Sequence, residues 1–82
     1  MDRETAYDRP EDAALAGWPE AARARVVSLE IRGNRAEVLI DTDPHYPYWV
    51  YCQRSDEGWQ VTVDGNGPCH GWDDPAMIQW GA

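Results

Sequence analysis

The 82-residue sequence predicts an α+β domain, a four-stranded antiparallel meander with short N-terminal helical segments packed on one face. Three observations carry that expectation. Apolar and polar residues alternate through four runs between residues 26 and 64, which is the period of half-buried strands. Two reversal signals, Gly33-Asn34 and Ser55–Gly58, join those runs pairwise. The stretch with helical composition and helix-start prolines lies ahead of the first run.

The opening "MDRETAYDRPED" is polar, and residues 1–9 read as a disordered lead. Residues 10–25 read as helical. Pro10 and Pro19 each stand where a helix can begin, because proline in the first turn sacrifices no hydrogen bond. "PEDAALAG" and "PEAARAR" are then two short helices or one interrupted helix. Gly17 serves as a stop, and Trp18, preceding a proline, is driven toward extended geometry.

From Arg25 the period becomes two. "RVVSLEIR" sets Val27, Leu29 and Ile31 on one side, and "RAEVLIDT" sets Ala36, Val38 and Ile40 together. With Arg32 facing Arg35 across Gly33-Asn34, Ile31 pairs with Ala36, Leu29 with Val38 and Val27 with Ile40. Both apolar sets land on one face. In the second pair of strands, a four-residue loop "SDEG" sets Arg54 against Trp59, Cys52 against Val61 and Val50 against Val63. Its core face holds Tyr48, Val50, Cys52, Trp59, Val61 and Val63. The opposite face holds Trp49, Tyr51, Gln53, Gln60 and Thr62. "DTDPHYP" connects the two hairpins, with Pro47 at a strand start where no ladder donor is needed. Tyr46-Pro47 is an aromatic-proline step, at which a cis bond is allowed but not expected. Residues 65–82 read as a glycine-rich loop, "GNGPCHGW", and a short C-terminal turn or helix. Asp74 caps that element, Pro75 opens it, Gly81 ends it, and Met77 and Trp80 share a face.

A chain this short is one domain and buries only about 60% of the surface that its unfolded form exposes. Five Trp and four Tyr, with no Phe, supply the bulk of so thin a core. The balance of charge excludes more than it identifies. Fifteen acids oppose seven Arg and no Lys, a net charge of −8, and the excess is concentrated in residues 41–82, where seven acids face one arginine. Such a surface repels polyanions, so neither nucleic acid nor an anionic membrane is an expected partner. The lead shows neither the basic nor the apolar region of a secretory signal, and the longest apolar run, Tyr48–Cys52, is far too short to span a bilayer. The expected compartment is the cytoplasm, where Cys52 and Cys69 are thiols.

Candidate chemistry is sparse. His45, Cys52, Cys69 and His70 are ligand types that zinc favours. They lack paired spacings, however, and adjacent Cys69 and His70 rarely converge on one ion, so no metal is expected. Asp41, Asp43, Asp64 and Asn66 do not make a twelve-position calcium loop. "DGNGP" opens no helix and has no nearby Lys, so it is a reversal and not a phosphate cradle. No cofactor signature is present. A nucleophile–base pair of Cys69 and His45 would require the loops flanking the second hairpin to meet at one end of the sheet.

The run "VVSLEIRGNRAEVLIDTD…YWVYCQRSDEGWQVTVDGNGP" resembles the strand region of small cystatin-like domains of the NTF2/SnoaL type. It is similar in particular to short actinobacterial proteins of unassigned function that end in a "GNGP…W" pattern. A Lys-free composition rich in Ala and Arg suits a high-GC bacterial gene. The resemblance covers residues 26–68 and implies a curved sheet behind N-terminal helices. Full members close a cone over the sheet with longer helices, and some use a pocket Asp-His pair. The helical part here is short and no such pair matches by position, so the resemblance implies the sheet and none of the catalysis. A truncated cone of this kind can complete itself by dimerising.

The leading expectation is therefore a protein-interaction module. It would present Trp49, Tyr51 and Trp72 within an acidic surround to a basic protein or to a second copy. The opposing reading is that the N-terminal helices or "GNGPCHGW" fold over Trp49 and Tyr51 and bury them. The alternative is a small-molecule pocket between sheet and helices, lined by Tyr46, Tyr48, Trp59 and Trp80, with His45 or His70 near its mouth. An enzyme using that pocket ranks third.

Overall fold

The computed structural model describes residues 6–69, 71 and 72. The predicted C-terminal element, with Asp74, Pro75, Met77, Trp80 and Gly81, lies outside the described residues, as do His70 and residues 1–5. Helix α1 runs Pro10–Ala16. Pro10 opens it, and Glu11 and Asp12 place negative charge at its positive end. No side chain caps the first turn. Arg9 instead holds Asp12 through two hydrogen bonds of 3.2 Å. The helix stops at Gly17 ahead of Trp18-Pro19, and a single 3-10 turn, Glu20–Ala22, follows. The predicted helical stretch 10–25 is thus two pieces, because Pro19 bars continuation and Arg23 adopts a left-handed φ of 50°.

Four antiparallel strands form one open sheet in the order β1-β2-β3-β4: β1 Arg25–Arg32, β2 Arg35–Asp41, β3 Tyr48–Ser55 and β4 Gly58–Gly65. With the helix packed on one face, the α+β meander is the observed architecture. The first hairpin keeps its predicted register from the turn outward. Gly33 takes a φ of +61°, and Arg32 faces Arg35, Ile31 faces Ala36 and Leu29 faces Val38. Beyond Ser28 the expectation fails. A bulge at Val27 makes Val26, not Val27, the partner of Ile40, and Val27 turns outward.

The second hairpin shows the same pattern. Its loop is shorter than predicted, since Ser55 pairs with Gly58 and only Asp56 and Glu57 turn. Arg54 still faces Trp59, and Cys52 still faces Val61. Thr62 is then an extra residue, and its hydroxyl donates to the Tyr51 carbonyl at 3.2 Å. Val63 consequently pairs with Tyr51, and Val50 pairs with Asp64 instead of Val63. The bulge removes Val63 from the core set.

Ala36, Val38, Ile40, Val50, Cys52 and Trp59 pack with Ala13 and Ala14 of α1 to make the core. Two alanines side by side let the helix backbone approach the sheet closely. The N-terminal segment, predicted to be loose, reaches the sheet at Tyr7. Tyr7 exchanges two backbone hydrogen bonds with Trp59, at 2.9 and 2.7 Å, and so closes the outer edge of β4 at that point. Gly58 permits this contact: its φ is +125°, and a Cβ there would lie 2.6 Å from the Tyr7 carbonyl oxygen. The cis peptide of the interhairpin loop is Asp43-Pro44, not Tyr46-Pro47.

Candidate functional site

The face away from α1 does not present the predicted aromatic platform. After β4 the chain folds back across it. Tyr51 is 1% exposed and Trp72 is 6% exposed, with their ring centroids 6.0 Å apart. The Tyr51 hydroxyl donates to Glu37 Oε2 and accepts from the Cys69 backbone N–H, both at 2.7 Å. Burial drives the Tyr51 phenol well above its ordinary pKa; the Cys69 amide opposes that shift, and the bond to Glu37 reinforces it. Arg32 lies 5.4 Å over the Trp72 ring, and Arg35 donates to the Trp72 carbonyl at 3.2 Å. Tyr51 and Trp72 therefore pack the second face, while Trp49 alone of the three stays half-buried. Cys69 and Trp72 thus supply the cover that stood as the alternative to an open platform.

The open surface lies on the other face. A seven-residue helix is about 10 Å long, whereas an eight-residue strand spans about 26 Å. Helix α1 thus leaves part of β3 and β4 uncovered. A cleft of about 610 Å³ results. Ala13, Ala14 and Ala16 form its helical wall, Val50, Val61 and Val63 its sheet wall, and Tyr7, Trp18 and Tyr48 its aromatic sides. Trp18 meets Tyr48 edge-on at 5.3 Å, and Tyr46 stacks against Tyr48 at 6.2 Å. Thr62 and Asp64 supply the polar lining, and the Tyr48 hydroxyl donates to Asp64 Oδ1 at 3.2 Å. Burial, and then the charge of Asp64, raises the Tyr48 pKa.

Of the residues predicted for a pocket, Tyr48 lines the cleft and Trp59 does not. Trp59 is buried in the core beneath the Arg54 guanidinium, which sits 5.8 Å from its ring. Tyr46 is exposed and reaches the cleft only through its stack on Tyr48. Trp80 and His70 fall outside the described residues. Trp18, Tyr7, Val63 and Asp64 were not anticipated. For Trp18 a signal existed: a large aromatic between Gly17 and Pro19 marks the point where the helix must turn away from the sheet.

His45 belongs to a different arrangement, in the β2–β3 loop. The buried Asp41 carboxylate accepts from the backbone N–H groups of Thr42 and Tyr46, at 3.0 and 2.9 Å, through Oδ1. Its Oδ2 contacts His45 Nδ1 at 2.5 Å and Arg25 Nη2 at 3.3 Å. Burial alone would raise the Asp41 pKa, but the His45 bond, the two backbone donors and the charge of His45 together carry it below the ordinary carboxylate value. An ionised Asp41 accepts hydrogen bonds only, so His45 Nδ1 carries the shared proton, and the ring stands 78% exposed. An Asp-His pair therefore exists, though no pattern in the sequence matched one. Cys69 engages Tyr51 on the second face, and Cys52, with its thiol directed at the Pro10 carbonyl, is pushed up to about 12 by burial. Among the described residues, no three His, Cys, Asp or Glu side chains gather as a metal site. Nor is any helix of the described residues long and apolar enough to cross a membrane.

Compared with family models, curated proteins and solved structures, the chain finds no match in any of the three.

Proposed function

We propose that the domain binds a small, mainly apolar, ring-bearing molecule in the cleft between α1 and the β3–β4 end of the sheet. One observation carries the reading: an uncovered cleft of about 610 Å³ whose walls are aliphatic and aromatic, with a single carboxylate, Asp64, among its described lining residues. Small-molecule sites have this size and this balance of apolar wall to a few polar groups. Tyr48 already donates to one Asp64 oxygen, which leaves the other to accept from a ligand ammonium or amide. The net charge of −8 favours a cation over an anion. Kinship with cystatin-like domains belongs to the same proposal, supported by a meander with helical cover on one face. Partner recognition through Trp49, Tyr51 and Trp72 draws less support, because Tyr51 and Trp72 are packed against each other.

The test is a thermal titration with tryptamine, indole and indole-3-acetate as probes. A ligand at ten times its Kd stabilises by about 1.4 kcal/mol, several degrees in Tm for a domain of this size. The expected order of stabilisation is tryptamine, then indole, then indole-3-acetate. Asp64→Asn removes the advantage of tryptamine over indole, and Val61→Asp abolishes binding of both. An unchanged Tm with all three probes at millimolar concentration sinks the reading.

A further inference from the structure

We infer that two copies of this chain join edge to edge through β1, antiparallel about a two-fold axis at Ile31, to make one continuous eight-stranded sheet. The two edges of the sheet are treated differently. Tyr7 closes β4 at Trp59, whereas among the described residues no strand pairs with the outer edge of β1. Open edges recruit further strands unless something blunts them, and the Val27 bulge blunts β1 only at its start, leaving residues 28–32 regular. The same edge bears Leu29 and Ile31 at 37% and 51% exposure, two of the large hydrophobics that the described structure leaves open.

Backbone direction and charge select the partner and the register. The two-residue turn makes Arg32 and Arg35 a hydrogen-bonded pair, so Ile31 and Leu29 direct their N–H and C=O groups outward. A two-fold axis through Ile31 sets Ile31 against its own copy, with both backbone bonds exchanged. The same register places Glu30 of each chain opposite Arg32 of the other. Those side chains lie on the second face, half-exposed, and already attract each other within one chain at 2.8 Å. Centring the axis on Glu30 would oppose two carboxylates directly, which is destabilising. Centring it on Leu29 would draw the Val27 bulge into the ladder, where its extra residue breaks the pairing. An edge with apolar residues on one side and a Glu/Arg pair two residues apart on the other is complementary to itself, which suits a closed two-fold contact. This inference is independent of the ligand cleft, whose lining residues come from α1, β3, β4 and the segments around α1.

Sedimentation velocity across a dilution series reaching about 500 µM tests it, because a reversible contact between copies shifts with protomer concentration. The wild-type chain is expected to dimerise within that range. Glu30→Arg and Arg32→Glu, each alone, should be monomeric at the same concentration, since either change sets like charges across the seam. An equimolar mixture of the two variants should recover a dimer, because an all-basic seam then meets an all-acidic one. A wild-type chain that stays monomeric, or an Arg32→Glu chain that dimerises as the wild type does, overturns the inference. Amide exchange on the unmodified chain covers the case in which a variant fails to fold: the Ile31 N–H should exchange more slowly at high concentration than at low. Equal rates would refute the contact.

Discussion

Tyr51 shows how one hydroxyl ties three parts of the chain together. It donates to Glu37 of β2 and receives the Cys69 amide from the segment beyond β4. Tyr51→Phe keeps the ring against Trp72 but strands a part-buried N–H, at a cost of about 1–3 kcal/mol, read as a lower urea midpoint at unchanged slope. Asp41 carries the pH dependence of the interhairpin loop. Its folded pKa lies below the ordinary value of 3.8, so its contribution to stability is fully present above that value and is lost as pH falls through the folded pKa. Asp41→Asn should therefore be less stable than wild type at pH 7, and the gap between them should narrow below about pH 4, in urea titrations across that range. The alternating pattern placed Tyr51 and Asp41 correctly on a strand and at a strand end. Glu37 and Arg25 are their cross-strand neighbours in the ladder. The Cys69 amide, 18 positions beyond Tyr51, and the Thr42, His45 and Tyr46 groups around Asp41 come from loops, where no periodicity encodes such meetings.

Among the elements, the two bulges decide most of what the sequence left open. Turn chemistry and the alternation of "RVVSLEIR" with "RAEVLID" were sufficient to give the Arg32–Arg35, Ile31–Ala36 and Leu29–Val38 pairs. A bulge adds one residue to one strand without changing the composition of either, so an alternating pattern cannot show it. The consequence is large at β4, where Thr62 shifts Val63 out of the core set and brings Asp64 opposite Val50 at the cleft. The second hairpin also depends on its last residue. Gly58→Ala must strain a φ of +125° and push against the Tyr7 carbonyl, which would lie 2.6 Å from the new methyl group. The expected loss is at least about 1–3 kcal/mol, with Tyr7 and Trp59 amides losing protection from hydrogen exchange together. Protection that persists at both amides would show that the N-terminal arm does not depend on this glycine.

For the domain as a single cooperative unit, Cys52 offers a clean reporter. It is fully buried between α1 and the sheet, and its thiol is pushed up to about 12. At pH 8 it is neither ionised nor accessible, so its reaction with iodoacetamide should wait for opening of the core. Its labelling rate should fall as stability rises and match the rate of global unfolding in urea. Labelling of folded Cys52 as fast as that of a free thiol would contradict the packing of α1. Charge acts at this level too. With a net charge of −8, the chain is poised to attract cations, which agrees with a cleft that offers one carboxylate.

Local chemistry alone determined the strand order, the register next to each turn, the start of α1 at Pro10 and the core positions Ala36, Val38, Ile40, Val50, Cys52 and Trp59, but not the exposure of Leu29, Ile31 and Val61 or the burial of Tyr51. Those features depend on neighbours in sequence and on a period that each strand repeats. Tertiary packing decided which face is covered and by what. The second face is covered over Tyr51 by a segment with no periodic signature, and the first is left partly bare because α1 is shorter than the strands beneath it. Both outcomes depend on lengths and return paths in space, which residue type encodes only weakly.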